Sequence, residues 1–98
     1  MLKYYDLIKD SKPENRAKKI RFDPSQHVYF ASCYNHIGIE VLGEASGLLL
    51  TLANGCTTLD EITRHLFATF GVAEPDIEEI IVMEVRNLQR KHLLYLEV

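Results

Sequence analysis

No stretch of this 98-residue chain approaches the ~20 consecutive apolar residues that a membrane-crossing helix requires. The triplet Leu48-Leu49-Leu50 is stopped by Gly47 and Thr51 on either side. A signal-peptide core is lacking too, because Lys3 is followed by Tyr4, Tyr5 and Asp6 where such a segment is apolar. Cysteine is scarce. Cys33 and Cys56 form no framework pattern, and two such thiols are expected to be reduced rather than bridged. These absences predict a soluble, cytoplasmic chain.

Catalytic groupings are missing as well. His27, His36, His65 and His92 offer no i, i+4 pair on a helix and no cysteine at ligand spacing, so no metal is expected. Neither cysteine has an adjacent basic group to depress its thiol pKa. Glu78 and Glu79 fall where a helix begins and complement its positive end, with Glu84 further along. The glycines are too dispersed to cradle a phosphate. The residues therefore predict neither an enzyme nor a cofactor.

What is present suits one globular domain: 47% of the residues are apolar, an ordinary fraction for a folded core. The charge is uneven. Residues 1–21 hold Lys3, Lys9, Lys12, Arg16, Lys18, Lys19 and Arg21 against Asp6, Asp10 and Glu14, a net +4. The remainder is net −7, with Arg64, Arg86, Arg90 and Lys91 against eleven acidic residues. A basic beginning on an acidic body suits partner contacts of either sign, or plain solubility.

Residues 1–17 read as an N-terminal arm outside the main core. Leu2, Tyr5, Leu7 and Ile8 give it one short apolar face, which Pro13 and the polar run Ser11 to Arg16 interrupt. The domain proper is then residues 18–98. Lys19 to Asp23 alternates as a half-buried strand does, with Ile20 and Phe22 inward. Asp23-Pro24-Ser25-Gln26 is turn chemistry, and His27 to Ala31 is a return strand. A bend at Cys33-Tyr34-Asn35 leads to a third strand, Ile37 to Val41, in which Gly38 marks a bulge or a close backbone approach.

Three helical patterns follow. The first, Glu44 to Asn54, puts Ala45, Leu48, Leu49 and Leu52 on one face, with a tight contact expected at Gly47 and a left-handed cap at Gly55. The second opens with a capping box, Thr58 and Glu61, and buries Leu59, Ile62, Leu66 and Phe70. The third has Pro75 in its first turn and the stripe Ile77, Ile81, Val85 and Leu88. Leu93 to Val98 is too short to assign, with a fraying end and an edge strand both left open. The expected class is α+β, winged-helix-like: an N-terminal three-stranded antiparallel sheet followed by three helices.

That order of elements raises two binding functions. A DNA reader needs a recognition helix that is basic at its start, because phosphates supply much of the affinity. Here the helices begin Asp60-Glu61 and Asp76-Ile77-Glu78-Glu79, which argues against nucleic acid. Peptide binding by strand addition fits better, since an edge strand offers unpaired backbone groups to an extended chain. Ile37, Gly38, Ile39, Glu40 and Val41 form the candidate edge, as the last strand before the helices. The third helix would supply the facing wall. Its apolar arc is wider than one stripe, with Ile80, Met83 and Asn87 on one flank and Val82 on the other. Whether Ile80 and Met83 line a groove or pack under other segments, and which flank faces the sheet, periodicity leaves open. The strand edge also leaves both a monomer and a homodimer open.

The chain resembles the PqqD family of peptide-recognition domains from about Lys18 to Leu94. The likeness rests on Ile20-Arg21-Phe22-Asp23 with Val28-Tyr29-Phe30, and on Leu52-Ala53-Asn54-Gly55. It continues through Thr58-Leu59-Asp60-Glu61-Ile62, Phe67-Ala68-Thr69-Phe70, Val85-Arg86-Asn87-Leu88 and Leu93-Leu94. It implies a non-catalytic domain that binds the leader segment of a ribosomally made precursor peptide by strand addition. Such domains present the peptide to a modifying enzyme: a radical-SAM protein, a leader peptidase or a cyclase. On this chain the resemblance implies the same groove, Ile37 to Val41 against Ile80, Met83 and Asn87. The alternative is a winged-helix module that binds protein or DNA in a regulatory role.

Overall fold

The computed structural model describes residues 3–34, 37–71 and 74–96. Expectations that fell on Leu2, Asn35, His36, Glu97 and Val98 lie outside those residues. In chain order the elements are α1 (Tyr4–Ile8), β1 (Glu14–Asn15), β2 (Ala17–Asp23), β3 (Val28–Cys33) and β4 (Ile39–Leu42). They are followed by α2 (Glu44–Leu52), α3 (Leu59–Phe70), α4 (Glu74–Arg90) and β5 (Leu94–Tyr95). The chain is α+β, with a three-stranded antiparallel sheet ordered β2-β3-β4 ahead of three helices. A two-stranded β1-β5 sheet pairs Glu14–Asn15 with Leu94–Tyr95; β5 is the edge strand left open for Leu93 to Val98, and β1 is unexpected.

Register assigns the faces of the main sheet, because neighbouring partners share a side. Phe22, Tyr29 and Leu42 form one inward row, and Ile20, Ala31 and Glu40 the next. Arg21, Phe30 and Val41 form an outward row, beside Lys19, Ser32 and Ile39. Ala31 and Leu42 are buried, and Ile20 packs against the core. Phe22 shares the inward side but reaches past the core rim, where it is half-exposed against the Tyr29 ring with centroids 4.8 Å apart. At the β2–β3 turn, Asp23 Oδ1 accepts from Ser25 N at 3.0 Å and from Ser25 Oγ at 2.6 Å. The Ser25 hydroxyl is the main reason that carboxyl sits below its usual range.

The helices seal the inward face. On α2 the buried set is Ser46, Gly47, Leu49 and Leu50, so of the expected face Ala45, Leu48, Leu49 and Leu52 only Leu49 is buried. The helix is rotated because the Gly47 backbone lies directly on the Tyr29 side chain, where a Cβ would overlap the ring. Leu48 and Leu52 become flanking contacts. Helix α2 stops at Leu52 with Ala53 as its cap, so Gly55 (φ 78°) shapes the following turn instead of the helix end.

Helix α3 shows complete accounting of its first four N–H groups, which an isolated helix leaves unpaired. Glu61 N donates to Thr58 Oγ1 at 3.2 Å and Thr58 N to Glu61 Oε1 at 3.3 Å. Leu59 N donates to the Ser11 carbonyl at 2.8 Å, and Asp60 N to the Lys9 carbonyl at 2.9 Å. The capping box is as expected; the two carbonyls come from the supposed arm. Gly71 ends the helix in the left-handed region. Phe70 is half-exposed, and Thr63 is buried in the stripe instead, its hydroxyl donating to the Leu59 carbonyl at 2.8 Å.

The arm is thus part of the core, which corrects the boundary at residue 18. Tyr5, Ile8 and Pro13 are buried. Gly55 N donates to the Pro13 carbonyl and Asn15 N to the Ala53 carbonyl, threading residues 9–15 alongside the α2–α3 connection. Helix α4 buries Ile77, Ile81, Val85 and Leu88, the stripe the period predicts. It ends in a Schellman arrangement: His92 N donates to the Gln89 carbonyl and Leu93 N to the Leu88 carbonyl, with His92 left-handed at φ 59°. That reversal sends Leu93, Leu94 and Leu96 back into the core.

Candidate functional site

The candidate edge begins later than its sequence suggests. Ile37 and Gly38 form a bend, with Gly38 at φ 130°, and the strand runs Ile39–Leu42. The reason lies at Leu42, which must stay in register with Tyr29 to fill the core. Ile39 and Val41 point outward and are 67% and 56% exposed. Glu40 points inward, where Lys91 Nζ meets its Oε2 at 3.3 Å.

That ion pair identifies the α4 flank nearest β4. At 100° per residue, Ile80, Glu84, Asn87 and Lys91 lie within about 60° of arc. Ile80, Glu84 and Asn87 are half-buried, and Met83, further round, is 67% exposed. The opposite flank is occupied. Lys3 Nζ lies 3.7 Å from Glu78 Oε2, the Arg86 guanidinium sits 4.6 Å over the Tyr4 ring, and Val82 packs against the core. Helix α1 therefore covers the Glu78, Val82 and Arg86 side, and the Ile80 and Asn87 side is left for β4. Of the site residues expected, Ile39, Glu40, Val41, Ile80, Met83 and Asn87 fall on these two surfaces. Ile37 and Gly38 sit just before the strand. Sequence reasoning missed Leu42, Glu84 and Lys91; the i, i+4, i+7, i+11 spacing from Ile80 was the signal for the last two.

Among the described residues the three-stranded sheet has two unpaired edges, β2 and β4, and they differ chemically. The β2 edge carries Lys18, Lys19 and Arg21, with a register irregularity between Ala17 and Lys19. Both features blunt an edge against further pairing. The β4 edge carries two aliphatic side chains, and its one charge is matched by Lys91. At the end of the sheet where β4 begins, Lys18, Lys19, Ser32, Cys33, Tyr34, Ile37 and Gly38 surround an open cleft of about 520 Å³.

Other chemistry is sparse. Burial, helped by the Glu40 carboxylate, raises the Cys33 thiol, and its Sγ donates to the Lys91 carbonyl at 3.4 Å, so it is a protonated packing group. Among the described residues no three His, Cys, Asp or Glu side chains gather as a metal site, and no helix is long and apolar enough to cross a membrane. Compared with known protein families, curated proteins and solved structures, the chain matches none.

Proposed function

We propose that this chain is a peptide-recognition domain of the PqqD-like kind. In this reading the leader segment of a precursor peptide adds as an antiparallel strand to β4 and lies against Ile80, Met83 and Asn87 of α4. The domain then presents the peptide to a modifying enzyme. The observation that carries the reading is the contrast between the sheet's edges: β2 is guarded by cations and a bulge, while β4 is aliphatic and internally neutralised. Backbone pairing would supply affinity, and the exposed side chains of Met83, Ile39 and Val41 the selectivity. The alternative of a DNA-binding regulator has acidic helix starts at Asp60-Glu61 and Asp76 against it.

An amide NMR titration with the leader half of a short peptide encoded beside this chain tests the proposal. Shifts are expected at Ile39–Leu42 and along Ile80 to Lys91. The exposed change Met83→Glu should weaken binding about tenfold without lowering stability. Absence of shifts at near-millimolar peptide would sink the proposal.

A further inference from the structure

We infer that the cleft at the end of the sheet is an acidic-residue subsite, which makes the bound peptide one that carries carboxylates just beyond its strand-forming segment. This rests on strand addition at β4. A strand added antiparallel to Ile39–Leu42 starts near Leu42 and leaves the sheet past Ile39. The residues C-terminal to the paired segment then pass Ile37 and Gly38 and meet the cleft.

The cleft's walls specify the ligand class. Lys18 and Lys19 stand on one side, and Ser32 and Tyr34 offer hydroxyl donors. Lys19 and Ser32 are cross-strand partners in the row that ends at Ile39, so cleft and edge are continuous on the outward face. Arg21 lies one row further, beside Phe30 and Val41, where its charge is partly met by Asp23 on the same face, so Lys18 and Lys19 carry the cleft's positive field. Among the described residues neither Lys18, Lys19 nor Arg21 lies within ion-pair distance of a carboxylate, in contrast to Lys3, Arg16, Arg64 and Lys91. The facing acid, Glu40, is on the inward side and held by Lys91. A basic strip on a chain of net charge −3 is a local field of the opposite sign, and carboxylates are what it attracts. Ile37, fully exposed at the rim, gives the aliphatic stems of such residues a surface to lie on.

Two synthetic probes test this on the full chain: one five-residue Thr/Val core followed by Gly-Glu-Glu, and the same core followed by Gly-Lys-Lys. Binding is read by amide shifts of β4 and by fluorescence anisotropy, at low and high salt. The acidic probe should bind about tenfold tighter, the preference shrinking with salt, and K18E/K19E should reverse the order. Equal binding of both probes, with β4 shifts intact, would overturn the subsite and leave strand addition standing. Silence at β4 with both probes would overturn strand addition and the subsite together.

Discussion

At Gly47 the α2 backbone rests on the Tyr29 side chain, and a Cβ would meet its Cβ as well as its ring. Rotating the ring therefore cannot make room; strand and helix would have to separate. Gly47→Ala gains about 1 kcal/mol of helix propensity but forces overpacking that costs about 1–3 kcal/mol. Denaturant unfolding should show a net loss of stability. His92 is the converse case. It holds a left-handed conformation (φ 59°) that costs an L-residue about 1–2 kcal/mol, and its side chain is exposed. His92→Gly should raise stability by about 1 kcal/mol in the same assay, because the Schellman bonds need only the backbone.

Among the elements, α3 depends on a segment almost fifty residues upstream, since the Lys9 and Ser11 carbonyls occupy two of its four free donors. Thr58→Ala removes one local cap and should cost about 1 kcal/mol. Deleting residues 1–12 removes two caps and the buried Tyr5 and Ile8 together. Its circular dichroism melt should show a much larger loss, where a dispensable arm would show none. The same comparison explains what the sequence made legible. Periods of 3.6 and 2 located the helices and strands, and Ile77, Ile81, Val85 and Leu88 needed nothing more. Helix α2 was misoriented because a glycine's backbone contact leaves no apolar signal. The arm was misread because Pro13 and its polar neighbours contribute carbonyls to the core, and a carbonyl has no residue type. On the candidate site, the edge and the Ile80 flank were legible. Which flank faces β4 required Lys91 and the docking of α1, both tertiary facts.

For the whole molecule, the radius of gyration of 12.9 Å is that of a compact chain of about 100 residues, so residues 3–17 add packing rather than reach. Tyr5 makes this docking sensitive to alkali. Burial raises the phenol well above its ordinary value of about 10; the Thr63 hydroxyl opposes that shift, and the Asp60 carboxylate, which the phenol reaches at 2.9 Å, adds to it. The folded chain therefore holds that proton more tightly than the unfolded one. The stability involved is fully present below pH ~10 and is lost as pH rises beyond it. Urea midpoints at pH 9 and 11 should differ more in the native chain than in Tyr5→Phe, which has no phenol to ionise. The β1–β5 ribbon has a kinetic consequence. Pairing Glu14 with Tyr95 closes a loop of nearly the whole chain for only two residues of ladder, so its entropic cost falls late, after the three-stranded sheet and helices have shortened the path. The paired residues 14–15 and 94–95 should thus lock late and open early, exchanging their amide hydrogens together while β3 and α4 remain closed.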